Sequence, residues 1–189
     1  VEQPLRARQR HWGKDIAYVA QSAAASFNPF FRLIDQYVEA PVFHRTADRA
    51  TAAQDGAKMF GRVMLPHPET IGFRYPHQVS GGQLQRAMTA MAMACRPALI
   101  IFDEPTTALD VTTQIEVLLT IQDIVRRFGT AAIYISHDLA VVAQVADRVK
   151  VLLRGEEVEE APTRRMLEAP QEAYTRSLWA VRRFRRQGH

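Results

Sequence analysis

The distribution of apolar residues along the chain predicts four short buried strands separated by helices. Each predicted strand is a mostly apolar segment of four or five residues, which is too short for a typical helix. The runs are Ile16–Ala20, Leu99–Phe102, Ala131–Ile135 and Val149–Leu153. Buried strands that alternate with amphipathic helices are typical of a parallel sheet. We therefore expect an α/β fold with a mostly parallel sheet.

Helical patterns occupy the segments between these strands. The chain from Leu33 to about Met64 is alanine-rich, and we expect its helices to break at Pro41 and Gly56. Ser80 is expected to cap a helix that runs to Cys95, because its hydroxyl can accept a hydrogen bond from a first-turn N–H. Further helices are predicted at 112–128, at 139–146 and over most of the tail. We interpret Leu33–Met93 as a helical lobe inserted between the first two strands.

Composition is ordinary for a globular protein, with 47% hydrophobic and 23% charged residues among 189. No stretch approaches the roughly 18 uninterrupted apolar residues that a membrane-spanning helix needs. The formal net charge of +4 comes mostly from arginines, several of them near the end of the chain. These could contact nucleic acid or anionic lipid, but the simpler interpretation, a solvated terminal helix, is favoured. Because the other basic residues are scattered, no nucleic-acid partner is expected.

Two acids, Asp103 and Glu104, follow the predicted strand Leu99–Phe102 directly. The carboxyl edge of a parallel sheet is where ligands bind in such folds. One carboxylate there can hold Mg²⁺, usually through water, and the next can orient an attacking water. Strands also end in acidic residues simply for solvation, so this pattern alone leaves both interpretations open.

A second pattern, Val79–Gln83, places a serine and two glycines at a predicted helix start. Glycines allow the backbone to approach an anion closely, and the helix N-terminus supplies N–H donors and the positive end of the helix dipole. A capped helix after a tight turn would have the same sequence, and taken alone that simpler explanation is favoured.

Five motifs in order along most of the chain resemble those of ABC transporter ATPases. Gln21 resembles the Q-loop glutamine, and Val79–Gln83 resembles the signature motif, with Val79 in place of the commoner leucine. Leu99–Asp103 resembles Walker B, and Glu104 the catalytic glutamate beside it. The D-loop is matched by Ala108, Leu109 and Asp110, and the switch histidine by His137, which follows the third predicted strand.

The resemblance implies a P-loop NTPase-like ABC ATPase core with an inserted α-helical subdomain. The subdomain would cover about 30–93, the catalytic core 16–21 and 94–155, and a C-terminal extension 156–189. The implied cofactors are ATP and Mg²⁺, with Asp103 and Gln21 near the metal, Glu104 polarising the attacking water and His137 steadying the γ-phosphate. Two such domains would pair head to tail. The residues implied to contact nucleotide are Ser80, Gly81, Gly82, Gln83, Gln21 and Asp110.

Finer features resemble the oligopeptide, dipeptide and nickel importer type. They are Gln21-Ser22, Phe27–Pro29, Tyr75–Gln78, Pro170 and Tyr174–Leu178. The implied partners are a second ABC ATPase domain and membrane permease subunits, gripped near Gln21–Phe31. The implied location is peripheral, at the cytoplasmic face of the inner (plasma) membrane.

The chain departs from the family in one respect, because it contains no P-loop of the form G-x-x-x-x-G-K-[ST]. In the family this Walker A segment precedes the Q-loop, so we expect it upstream of Val1, and we expect the chain alone to be inactive. Two alternatives stay open: a non-catalytic half that only supplies a signature motif to a partner, and a soluble ABC ATPase of DNA repair or translation.

Overall fold

A computed structural model describes residues 11–107 and 109–186. The chain divides into two compact units, Val1–Ile135 and Ser136–His189. The first unit contains the strands β1 (Ile16–Val19), β2 (Leu99–Asp103) and β3 (Ala131–Ile135). Its helices are α1 (Ala23–Ser26), α2 (Leu33–Phe43), α3 (Arg49–Arg62), α4 (Pro68–Ile71), α5 (Gly81–Ala92) and α6 (Val111–Phe128), with a 3₁₀ turn at Pro76–Gln78.

The second unit contains a two-stranded sheet and three helices. Its strands are β4 (Arg148–Leu153) and β5 (Glu156–Pro162), and its helices are α7 (Leu139–Val145), α8 (Thr163–Glu168) and α9 (Ala173–Arg186). The predicted helical tail is therefore confirmed. The strand expected at Val149–Leu153 is also present, but it pairs antiparallel with β5 and does not extend the parallel sheet. Arg154 and Gly155 make the tight turn between these strands, both with positive φ.

The three strands of the first unit form a parallel sheet in the order β1-β2-β3. Ile16 pairs with Leu99, and Leu99 pairs with Ala131, so the first residues of the three strands are aligned. One face of the sheet is closed, since Ala17, Val19, Ile100 and Phe102 are all buried. Parallel pairing places the carboxyl ends of all three strands at one edge, as the sequence predicts.

The opposite face of this sheet is open, which corrects one expectation. The third strand was expected to be buried, but the side chains of Ile133 and Ile135 are each about half exposed. They share their face with Tyr18, which is 50% exposed. The apolar run identified the strand correctly, but it could not reveal that β3 lies at the sheet edge of this unit with one face uncovered.

The helical lobe also differs from the prediction in three places. Helix α3 runs through Gly56 without a break, because the glycine is buried where α3 packs closely on α2. A Cβ at this position would lie 2.5 Å from Cδ1 of Ile34 and 2.9 Å from Cδ1 of Tyr37. Helix α2 was expected to break at Pro41, but it continues through this residue and ends at Phe43. Helix α5 ends at Ala92, three residues before the predicted end at Cys95.

Candidate functional site

The two acids lie at the carboxyl end of β2, but their backbones and contacts differ. Asp103 is the last residue of the strand and pairs with Ile135. Glu104 follows with a left-handed backbone, φ 49°, while its N–H donates to the carbonyl of Ile135 at 3.0 Å. A positive φ is uncommon for a residue other than glycine and takes Glu104 out of the strand geometry. The two neighbouring carboxyl groups are therefore positioned differently, as two different roles would require.

Each carboxyl group is oriented by a hydroxyl that sequence reasoning missed. The hydroxyl of Tyr18 donates to Oδ2 of Asp103 at 2.7 Å, and that of Thr107 donates to Oε2 of Glu104 at 2.5 Å. The acceptor Asp103, together with its charge and some loss of solvation, raises the pKa of the Tyr18 phenol. The Thr107 contact could have been predicted from the sequence, because Thr107 lies only three residues after Glu104. The Tyr18 contact depends on strand pairing between residues 85 apart.

Gln21 lies two residues beyond the end of β1, and its side chain is exposed. Because Val19 pairs with Phe102, Gln21 and Glu104 each follow the paired region by two residues on neighbouring strands. The structure therefore brings Gln21, Asp103 and Glu104 to one edge of the sheet. These are carboxylate and amide groups, which supply the oxygen ligands that Mg²⁺ prefers.

The predicted cap of α5 is confirmed in detail. The Ser80 hydroxyl accepts from the Gln83 N–H at 3.3 Å, and the Gln83 side chain accepts from the Ser80 N–H at 3.0 Å. This reciprocal arrangement is a capping box, which fixes the direction of the chain entering the helix. The first N–H groups of a helix have no acceptor within it. The start of α5 can thus present N–H donors and the positive end of a helix dipole to an anion.

Asp110 is the N-cap of α6. Its Oδ1 accepts from the Thr113 N–H at 3.0 Å, and its Oδ2 accepts from the Thr113 hydroxyl at 2.6 Å. These two bonds hold the pKa of the Asp110 carboxyl below its usual value. Ala108, the first residue of the predicted D-loop, lies outside the described residues. Asp110 therefore has a structural task, and its predicted contact with nucleotide stays a prediction.

His137 lies two residues beyond β3, on an exposed turn before α7. It belongs to the second unit, whereas Glu104 belongs to the first. The expectation that both residues act at one site stays a prediction. Within the turn, the Asp138 N–H donates to the Ser136 hydroxyl at 3.0 Å.

The described residues, 11–107 and 109–186, lack two kinds of feature. No helix there is long and apolar enough to cross a membrane. Nor does that part of the chain contain a cluster of three or more histidine, cysteine or acidic side chains that could hold a metal ion. A Mg²⁺ that is held chiefly by substrate phosphates and water needs only one or two protein carboxylates. Asp103 satisfies that smaller requirement.

Comparison with known proteins agrees with the motifs. The family description "ABC transporter" matches residues 2–107, more than half of the chain. The glutathione import ATP-binding protein GsiA of Escherichia coli K12 is 45% identical over 176 residues, which cover 93% of this chain and 28% of GsiA. The GsiA of Shigella flexneri serotype 5b is 44% identical over the same lengths. The chain thus spans little more than a quarter of these relatives.

A solved structure confirms the fold. The ATP-binding cassette MJ0796, in a dimeric structure bound to ADP and Pi, superimposes with a TM-score of 0.71. The superposition covers 86% of this chain and 68% of that protein, at 23% sequence identity. The expected P-loop NTPase-like ABC cassette fold, a parallel sheet with helices, is therefore correct.

Proposed function

Because this chain belongs to the ABC transporter family, we propose that it is the ATP-binding and ATP-hydrolysing part of an importer for peptides or a similar small solute. The observation that carries the proposal is the pair Asp103 and Glu104 at the carboxyl end of β2. Each acid has its own hydroxyl partner and its own backbone geometry. Hydrolysis of a phosphoanhydride needs this division, with one acid near the metal and another near the attacking water.

In the proposed mechanism Glu104 accepts a hydrogen bond from the attacking water and polarises it. The Thr107 hydroxyl donates to Oε2 and helps to hold the carboxylate in one orientation. His137 is proposed to donate a hydrogen bond to the γ-phosphate as negative charge builds there. A base that is already oriented needs little reorganisation during the reaction, and such preorganisation is a major source of rate enhancement.

Asp103 and Gln21 are the proposed residues near Mg²⁺. A bound Mg²⁺ would neutralise charge on the β- and γ-phosphates of ATP. The hydrogen bond from Tyr18 leaves Oδ1 of Asp103 available to a metal-bound water. Gln21, on the exposed segment after β1, would sense the nucleotide and contact the membrane partner.

The start of α5 is the proposed site for the γ-phosphate of an ATP held by a second ABC domain. Ser80, Gly81, Gly82 and Gln83 form this start, and Asp110 caps the neighbouring helix. The proposed partner is another domain of the same family, paired head to tail. MJ0796, which has the same fold, is described as dimeric, and this is consistent with pairing of two such domains.

The loop after α1 is the proposed contact for a permease subunit. It exposes Phe30 and Phe31, which are 85% and 48% accessible. Its backbone is nevertheless fixed, because the buried Gln36 amide donates to the carbonyls of Asn28 and Phe31, each at 3.0 Å. Exposed aromatic side chains are enriched at protein interfaces. This surface would transmit closure of two ATP-binding domains to the membrane.

The proposed cargo class rests on similarity to GsiA, whose description names glutathione, itself a small peptide. The sequence features of oligopeptide and dipeptide importers point to the same class. ATP hydrolysis and opening of the dimer would drive each transport cycle from the cytoplasmic side.

The test uses the gene product that contains this chain, with its permease, in proteoliposomes. We expect Mg²⁺-dependent ATP hydrolysis and ATP-dependent uptake of a radiolabelled di- or tripeptide. Glu104→Gln should lower hydrolysis by roughly 10²–10⁴-fold while ATP binding survives. Glu168→Gln, the same change on the exposed end of α8, is the matched control. Hydrolysis at the parental rate in Glu104→Gln would remove that residue from the mechanism.

A further inference from the structure

The start of α5 packs directly against the start of α6, at Gly82 and Thr113. Gly82 is buried, and a Cβ added to it would overlap Cγ2 of Thr113. Gly81 differs, because it is exposed and its Cβ would meet Cδ2 of Leu109 at an ordinary 3.7 Å. Packing therefore requires a glycine at the second position of the pair but not at the first.

The methyl group at this contact cannot simply rotate away. The Thr113 hydroxyl donates to Oδ2 of Asp110, and the Thr113 N–H donates to Oδ1 of the same carboxylate. Since the hydroxyl and the methyl are both attached to Cβ, fixing one fixes the other. Asp110 thus determines where the Thr113 methyl lies, and the methyl determines how closely α5 approaches.

The next residue of α6, Gln114, connects the same helix start to the segment that follows Glu104. The Gln114 side-chain amide donates to the buried Thr106 hydroxyl at 3.0 Å. Thr106 lies two residues after Glu104. The first turn of α6 therefore contacts both the start of α5 on one side and the segment that follows Glu104 on the other.

We infer that Thr113 is a positioning residue, which sets the distance between the start of α5 and Asp110 through its contact with Gly82. The inference rests on the proposed function for its consequence, which is that the α5 N–H groups meet the phosphate of a partner-bound ATP at a set position. In this view Gly82 is a glycine because of Thr113, in addition to any contact that it makes with nucleotide.

The test is a compensation experiment in the gene product that contains this chain. Gly82→Ala should lower the midpoint of thermal unfolding by roughly 5 °C or more, and ATP-dependent dimerisation should weaken by roughly tenfold or more. Adding Thr113→Ser removes the methyl and keeps the hydroxyl bond to Asp110. Gly82→Ala/Thr113→Ser should therefore regain most of the lost unfolding midpoint, and its ATP-dependent dimerisation should come within a few-fold of the parent. Thr113→Val keeps a methyl and loses the hydroxyl bond, so Gly82→Ala/Thr113→Val should not recover.

The two measurements separate this inference from the proposed function. Unfolding involves no nucleotide, so an unchanged midpoint in Gly82→Ala overturns the packing contact whatever the protein binds. Recovery of the midpoint without recovery of dimerisation in Gly82→Ala/Thr113→Ser overturns the positioning role and assigns Gly82 to direct nucleotide contact. A parent protein that does not dimerise with ATP counts against the proposed function, while the unfolding series still tests the contact.

Discussion

The hydroxyl of Tyr18 donates a 2.7 Å hydrogen bond to Oδ2 of Asp103 on the neighbouring strand. Tyr18 pairs with Ile101, so Asp103 lies two residues further along on the same face of the sheet. The phenol is half exposed, and it contacts the acid that we place near the metal. The bond restrains one carboxylate oxygen without neutralising the carboxylate.

Removal of this hydroxyl should weaken the response to metal without unfolding the protein. Tyr18→Phe keeps the ring, so its unfolding midpoint should stay close to that of the parent. The Mg²⁺ concentration for half-maximal ATP hydrolysis should rise about 2–10-fold, with kcat little changed. Direct Mn²⁺ binding in the presence of ATP, followed by electron paramagnetic resonance, should weaken by the same factor.

Asp103→Asn provides the comparison for Tyr18→Phe, since it changes the carboxylate itself. It should raise the Mg²⁺ requirement further than the tyrosine substitution does. If Tyr18→Phe has the metal dependence of the parent, the hydroxyl has no part in orienting Asp103.

Thr107 should act on Glu104 in a way that separates turnover from binding. Its hydroxyl donates to Oε2 of Glu104 at 2.5 Å, so loss of the hydroxyl removes a contact that orients the carboxylate. Thr107→Val should lower kcat roughly 3–30-fold and leave ATP affinity unchanged, because misorientation of a catalytic group affects the transition state most. Thr107→Ser retains the donor and should keep most of the activity. Equal rates for the valine and serine variants would contradict this role.

The sequence predicted the strands well because short, mostly apolar segments bounded by turn residues are typical of strands. It also predicted where Asp103 and Glu104 lie, since the end of a strand is a local property. Gly56 was wrongly taken as a helix break because a glycine has a low helix propensity. A glycine is needed at this position because α3 packs closely on α2, against Ile34 and Tyr37. That contact cannot be predicted from the residues next to Gly56 in the sequence.

Tyr18 and Thr113 were missed for the same physical reason. Their hydroxyls act on residues that the fold places beside them, and the register that does so is a property of the whole sheet or of helix packing. The second unit shows a similar limit, because β4 has the apolar pattern of a buried parallel strand and yet pairs antiparallel with β5. An apolar run predicts a strand but not its partner.

Two glycines in α3 should respond oppositely to alanine. Gly56→Ala should destabilise the protein by about 1–3 kcal/mol, because its Cβ would meet Ile34 and Tyr37 at 2.5–2.9 Å. Gly61→Ala is the matched control in the same helix, where the nearest atoms are Pro68 carbons at 3.6 Å. It should be neutral or stabilise by up to about 1 kcal/mol, through helix propensity. Chemical denaturation of both variants measures the difference, and destabilisation by Gly61→Ala of similar size would contradict the packing argument.

Asp55 should contribute far more to stability than an acid in a surface ion pair. Its Oδ2 accepts from the buried Tyr37 hydroxyl at 2.5 Å, and its Oδ1 accepts from Arg96 at 2.6 Å. Burial, strengthened by the hydrogen bond to Asp55, raises the pKa of Tyr37, so the phenol stays a neutral donor at all ordinary pH values. Asp55→Ala would leave that hydroxyl buried without its partner, and we expect a loss of about 1–3 kcal/mol in the free energy of unfolding. Asp123→Ala, which breaks an exposed pair with Arg127, should cost less than about 0.5 kcal/mol. Denaturant titration at neutral pH checks both values. Equal losses would show that the bond to the buried Tyr37 hydroxyl adds nothing to the contribution of Asp55 to the free energy of unfolding.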